Sequence, residues 1–263
     1  MTLLQALFLG LLQGLTEFLP VSSSGHLAIA QHFMPGFEQP GVLFDVMLHV
    51  GTMVAVLLYF RREVGNLLVS PFRRDEQARL YRRLLALLAA GSVPTAVIGL
   101  TFKDFFEGLF HNLTVVSLML LVTGTLLFLS ERFRRDGRKQ DQLTLSDALV
   151  VGTVQGMAIV PGISRSGSTI AALLLKGVDG ETAARFSFLL ALPAVFGAAL
   201  LSLRDLHAVA DGQLPVYLAG TGIAFLAGLA SIHLLLGVIR KKRLFTFALY
   251  CWAAGSLFFC LSM

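Results

Sequence analysis

Two apolar segments of this chain, Leu3 to Phe33 and Leu145 to Lys176, are each broken near the middle by turn-forming residues, at Pro20 and Gly25 and again at Pro161, Gly162 and Gly167. Their surroundings make the breaks informative. The runs Gly41 to Phe60, Leu84 to Leu100, Leu113 to Leu129, Phe186 to Leu203, Pro215 to Gly237 and Leu244 to Met263 approach or exceed the ~20 residues needed to cross ~30 Å of hydrocarbon. With 56% hydrophobic and 14% charged residues, the composition is far from that of a soluble domain. The sequence therefore predicts an all-α integral membrane protein, residues 1–263 forming a single membrane domain with six spanning helices. Backbone amides left unsatisfied in lipid are expensive, so non-helical backbone at membrane depth survives only where it is buried in protein or lines a wet cavity. The two broken segments are expected to be re-entrant helical hairpins, 3–33 and 145–176, with their tips near the middle of the membrane.

The basic residues set the expected orientation. Residues 1–60 contain no Lys or Arg, whereas Arg61 to Arg83 holds seven arginines, Glu131 to Gln142 five basic residues and Arg240 to Arg243 four. Under the positive-inside rule these loops face the cytoplasm, which places Thr101 to Asn112, Arg204 to Leu214 and both termini outside. Topology anchors touching anionic headgroups account for the net charge of +5 without a nucleic-acid partner. The first twenty residues lack the basic start and small-residue cleavage site of a signal peptide and are expected to stay in the mature protein. Cys251 and Cys260 lie about 13 Å apart along one expected helix, too far for a disulfide, and should be free thiols in apolar surroundings.

An offset of 142 residues superposes Ala6, Leu7, Gly10, Gln13, Gly14, Ser22, Ser24 and Gly25 on Ala148, Leu149, Gly152, Gln155, Gly156, Ser164, Ser166 and Gly167. The same offset pairs Phe44 with Phe186 and Leu48 with Leu190. Each copy, about 1–142 and 143–263, would hold one hairpin and three spans. An odd number of spans inverts the second copy, which makes this an inverted-topology repeat. Half-helix N-termini at the two tips would aim backbone N–H groups and positive dipole ends at one small volume, where an anion is the natural occupant.

The tips also carry the unusual side chains. Glu17 is the first charged residue of the chain and lies one turn after Gln13 on the same helix face, while Arg165 is its charged counterpart in the second segment. Ionisable groups inside a membrane are costly and mark functional sites by default; the structural alternative is a mutually satisfied ion pair that locks the hairpins together. The serines Ser22, Ser23 and Ser24 suit substrate binding or nucleophilic attack, but small hydroxyl residues also cap half-helices and allow close packing. His26 suits proton transfer, and equally a hydrogen-bonded structural role. A guanidinium fork matches two phosphate oxygens, and hydroxyls and tip amides can bind the rest. A carboxylate beside them serves as a general base or as a ligand to a divalent cation. Neither a Walker pattern nor H-E-x-x-H is present, so the sequence gives no support to nucleotide hydrolysis or zinc-peptidase chemistry.

QGLTEFLPVSSSGH, Gln13 to His26, and PGISRSGST, Pro161 to Thr169, resemble the two signature motifs of the bacterial undecaprenyl-diphosphate phosphatase family, also known for bacitracin resistance. The match extends over the whole chain in length, hairpin order and repeat spacing. The resemblance implies a multi-pass plasma (inner) membrane hydrolase that takes the terminal phosphate from a polyprenyl diphosphate lipid. The product would be the monophosphate carrier for cell-wall synthesis, with the site reached from the outer, periplasmic face and a homodimer allowed. It also implies dependence on a divalent cation, Mg²⁺ or Ca²⁺, with Glu17 as ligand. Carried onto matching positions, Glu17, Ser23, His26 and Arg165 are the catalytic candidates. Gln13, Ser22, Ser24, Ser164, Ser166 and Thr169 are the substrate-binding ones. Position 13 is Gln here, which removes one carboxylate that many members have.

On this reading Arg165, Thr169 and tip amides clamp the diphosphate, Glu17 and His26 manage protons, and Ser23 is the candidate nucleophile, with direct attack by water as the competing route. Asp45 and His49, one turn apart at the start of the next span, form an outer layer of the site or a hydrated helix end. The rival from another class is a transporter or flippase for a lipid phosphate or anion, since inverted repeats with midplane hairpins also build carriers.

Overall fold

The computed structural model describes residues 1–37, 43–110, 112–135, 137–202 and 212–262. Among them there is no β-strand; a single bridge joins Arg138 and Val178. The helices are α1 (Leu3–Phe18), α2 (Ser23–Phe33), α3 (Leu43–Tyr59), α4 (Arg61–Val69), α5 (Glu76–Thr101), α6 (Lys103–Leu109), α7 (Leu113–Phe133), α8 (Leu145–Met157), α9 (Arg165–Leu175), α10 (Gly180–Ser202), α11 (Leu214–Arg240) and α12 (Phe245–Leu261).

Four of these helices, α5, α7, α10 and α11, are long and apolar enough to cross a membrane, and no more than 44% of the apolar window of any of them is buried inside the protein. The apolar side chains left exposed, such as Val93, Val97 and Leu100 along one face of α5, therefore face lipid. The other two expected spans are shorter. α3 has 17 residues and bends by 80° into α4, and α12 also has 17 residues. Residue 41, the expected start of the first span, and residues 204–211 of the expected outer loop fall outside the described residues.

Both broken segments are helix–break–helix units whose arms pack on each other, α1 on α2 and α8 on α9. α1 stops two residues before Pro20, whose ring disfavours helix in the residue before it. α8 stops ahead of Pro161 and Gly162, and Gly162 turns with φ +94°, which a side chain would oppose. The second arms start at the positions the offset requires, Ser23 and Arg165, and each runs for 11 residues. Each is capped by the preceding serine, Ser22 accepting from Gly25 N and Ser164 from Gly167 N.

Packing follows the same correspondence. α1 lies along α11, and α8 lies along α5; α3 packs on α10 and α7 on α12. Glycine makes the first two contacts close. A Cβ on Gly10 would collide with the Gly220 carbonyl, and one on Gly152 would collide with the Gly91 carbonyl and reach 2.8 Å from Pro94 Cγ. At the centre, Phe18 is fully buried at the end of α1 and meets Phe188 of α10 edge to face at 5.3 Å between ring centroids.

Ion pairs tie several helix ends together. Arg138 binds Asp147 through two nitrogens at 2.7 and 3.1 Å and donates to the Lys176 carbonyl at 2.7 Å, closing the entrance of the second hairpin. Nearby in sequence, Arg185 bridges Glu63 and Glu181, and Arg240 joins Glu181 at 3.3 Å, tying α4, α10 and α11. Cys251 is buried and Cys260 exposed, both as free thiols.

Candidate active site

The site grows from the last turns of α1. Spacing of four residues puts Gln13 and Glu17 on one face, and Gln13 Nε2 donates to Glu17 Oε2 at 2.9 Å. The chain then turns through Pro20 and Ser22, the latter held at φ +69°, a conformation that costs a non-glycine residue of the order of 1–2 kcal/mol. That strain delivers Ser23 back over the end of α1, where its Oγ donates to Glu17 Oε2 at 2.6 Å. From the other tip, Arg165 at the first position of α9 pairs through Nη2 with Glu17 Oε1. A fourth element contributes His49 of α3, whose Nε2 lies 3.4 Å from Glu17 Oε2. The Glu17 side chain is only 2% exposed, so a buried carboxylate is met from α1, α2, α3 and α9 at once.

Two polar atoms at this junction have no partner among the described residues. Arg165 Nη1 lacks an acceptor and Gln13 Oε1 lacks a donor, and both are buried. Unpaired buried polar atoms are costly, and here two of them stand beside one buried carboxylate. One arm of the guanidinium fork thus holds Glu17 through Nη2 while the other has no acceptor among the described residues.

The remaining candidates are placed around this cluster. Ser22 Oγ caps α2 and lies 3.3 Å from Ser24 Oγ, which is half-buried. Ser164 caps α9, and its backbone N–H donates to Thr123 Oγ1 at 3.0 Å, while Thr123 donates to the Gly162 carbonyl at 2.9 Å; α7 thereby holds the second tip. Ser166 Oγ sits 3.5 Å from the Leu19 carbonyl and so links the two tips. They approach closely enough that a Cβ on Gly25 would stand 3.1 Å from Gly162 Cα. Thr169 is fully buried, with its hydroxyl on the Arg165 carbonyl at 2.8 Å and on Ser187 Oγ of α10 at 2.5 Å. His26 turns toward α12, where Nε2 meets Tyr250 Oη at 2.6 Å.

The structure thus brings Gln13, Glu17, Ser23 and Arg165 into one cluster. Ser22 and Ser164 serve as caps, Ser166 as a link and Thr169 as a packing contact. His49 joins the cluster directly, closer than an outer layer would place it. Its Nδ1 donates to the Asp45 carbonyl at 2.8 Å, and Asp45 Oδ1 accepts from Gln31 Nε2 at 2.7 Å. The one-turn spacing of Asp45 and His49 on α3 was the signal available, and nothing in that spacing connects His49 to Glu17.

Fold and site together define a helical multi-pass membrane protein whose buried polar cluster is assembled from two broken helix pairs. A family model described as bacitracin resistance protein BacA matches residues 6–257. The chain belongs to that family. Proteins named undecaprenyl-diphosphatase are similar along their full length: that of Syntrophotalea carbinolica is 65% identical over 262 residues, covering 100% of both chains. Those of Desulforapulum autotrophicum and Halothermothrix orenii are 46% and 44% identical, each covering 97% of this chain and 96% of the relative.

Proposed function

We propose that the chain hydrolyses undecaprenyl diphosphate to undecaprenyl phosphate and inorganic phosphate, recycling the lipid carrier for cell-wall synthesis and giving bacitracin resistance. The observation that carries this reading is the Ser23–Glu17–Arg165 arrangement: a hydroxyl donating to a buried carboxylate, beside a guanidinium with one free arm. Full-length similarity to proteins named undecaprenyl-diphosphatase supports the lipid diphosphate as substrate.

Arg165 Nη1 binds an oxygen of the terminal phosphate. Ser23 Oγ attacks that phosphorus as its proton passes to Glu17 Oε2; a bond to Ser23 forms, the bond to the bridging oxygen breaks, and undecaprenyl phosphate leaves. Water then attacks the phosphoserine, inorganic phosphate departs and Glu17 returns the proton to Ser23. Direct attack by water on the diphosphate, with Ser23 and Arg165 as donors only, is the competing route, and rapid-quench trapping of phosphate on the protein separates the two. A divalent cation shared with the substrate would have to displace a partner of Glu17, whose Oε1 meets Arg165 and whose Oε2 meets Gln13, Ser23 and His49. Glu17 and Gln13 Oε1 would hold it, and when bound it supplies positive charge to the phosphate oxygens.

The matching caps and lengths of α2 and α9, and the reciprocal packing of α1 on α11 and α8 on α5, support an inverted repeat of one re-entrant hairpin and three spans. In this arrangement α3, α5, α7, α10, α11 and α12 are the six spans, the basic loops face the cytoplasm, and both termini and the mouth of the site face outward. Phosphate release from undecaprenyl diphosphate by detergent-purified protein, with Mg²⁺, with Ca²⁺ and with chelator, tests the function. Release abolished by Arg165→Ala and Glu17→Ala in folded protein upholds it; no release from folded wild type moves the transporter reading to first place.

A further inference from the structure

His26 has no nitrogen left for a substrate. Its Nδ1 lies 2.8 Å from the Ser22 carbonyl, which can only accept, so Nδ1 carries the proton. In the neutral ring Nε2 is then an acceptor, and it is filled by the Tyr250 hydroxyl at 2.6 Å. The two rings also stack, with centroids 5.6 Å apart and planes 11° from parallel. Tyr250 comes from α12, and its neighbour Cys251 touches the Pro20 carbonyl at 3.7 Å, so this stretch of α12 lies against the first tip. Ser23 is one turn before His26 on α2, and Tyr250 is 46% exposed.

We infer that Tyr250 and His26 act as one proton-transfer unit, in which the phenol oxygen of Tyr250, rather than the imidazole, meets the water that attacks phosphorus. This rests on the phosphatase reading. As the water oxygen bonds to phosphorus, its proton passes to Tyr250 Oη while the Tyr250 proton passes to His26 Nε2. The tyrosine is left neutral and the imidazole becomes an imidazolium, whose Nδ1–H stays on the Ser22 carbonyl. The imidazolium then loses that proton to the departing phosphate through the same pair. The unit serves water equally at a phosphoserine or at the diphosphate itself.

Few other charges bear on it. α7 presents apolar Leu113, Val116 and Leu120 toward α2, and α12 adds the Cys251 thiol. α1 contributes Glu17 and α9 contributes Arg165, engaged with each other, and α3 adds His49 against Glu17 and Asp45 bonded to Gln31 of α2.

The test is Tyr250→Phe in the full chain, with phosphate release from undecaprenyl diphosphate followed across pH and melting temperature as a check on folding. General acid–base catalysis contributes about 10²–10⁴-fold, so kcat should fall by about 10²-fold with KM within about twofold, and the acidic limb of the pH–rate profile should flatten. A kcat equal to or above that of wild type would overturn the inference and make the phenol a mere cover for His26. Site-specific 3-fluorotyrosine at position 250 keeps the shape and changes only the acidity of the phenol; it should displace the pH–rate limb, and an unmoved profile counts against the unit. Nitrogen NMR of His26 reads the pair without turnover. Its Nε2 resonance should move in Tyr250→Phe, and a resonance that does not move overturns the inference even if wild type proves to have no phosphatase activity.

Discussion

Removing the charge of Glu17 or of Arg165 alone should destabilise the protein, and removing both should cost less than the sum. Breaking one side of a buried ion pair typically costs about 3–5 kcal/mol because the surviving charge is left uncompensated. The Arg165 side chain is 21% exposed, and Glu17 keeps hydrogen bonds from Gln13 and Ser23 when the arginine is gone, so the loss falls at or just below the lower end. We expect about 2–3 kcal/mol for Arg165→Met and a similar amount for Glu17→Gln. The double variant should be less destabilised than the sum by at least about 2 kcal/mol, since replacing both members of a buried pair by neutral residues costs much less than stranding either charge. Unfolding in mixed micelles provides the assay, followed by helical circular dichroism and by fluorescence of the single tryptophan, Trp252, which donates to Thr125 across the α7–α12 contact. Additive losses, within about 0.5 kcal/mol, would refute the reasoning and mean that the two side chains act independently on stability. All three variants should lack phosphatase activity, including the double variant that regains stability.

Ser23→Ala should keep the fold, since its hydroxyl caps nothing, but lose phosphate release by about 10²-fold or more; a phosphoenzyme trapped in this variant would exclude Ser23 as nucleophile. Gly152→Ala should destabilise by about 1–3 kcal/mol because its Cβ meets the Gly91 carbonyl and Pro94, whereas Gly237→Ala, with nothing within 4 Å, should be neutral or stabilising in the same melt. Asp147→Asn should lower the melting temperature by leaving Arg138 and Lys176 without their shared carboxylate, while KM for the lipid stays near wild type in steady-state phosphate release. A single cysteine placed at Thr2 of a variant with Cys251 and Cys260 replaced by serine should react with a membrane-impermeant thiol reagent in intact cells; protection there until the membrane is permeabilised would invert the orientation.

Much of this architecture is written in short-range signals. A lipid-like composition demands helices, Pro20 and Pro161–Gly162 demand breaks, and a serine three residues before a glycine at both tips demands caps; each depends on neighbours within one or two turns. The pairing of Gln13 with Glu17 is equally local, because four residues make one turn. The offset of 142 residues that places the two tips in register is legible for a similar reason, since a constant offset needs no knowledge of space. What surrounds Glu17 is another matter. Nothing in the chain order says that His49 reaches the same carboxylate as Ser23, that Thr169 turns to Ser187 instead of the site, or that Tyr250, 224 residues away, fills the last open nitrogen of His26. Those partnerships depend on which helix faces meet when the two broken segments pack between the spans. The sequence alone therefore determines that two polar tips exist and what chemistry their residues can do. Only tertiary packing decides which atoms are brought within hydrogen-bonding distance, because a contact of about 3 Å is set by the relative placement of whole helices and not by the residues on either side of it.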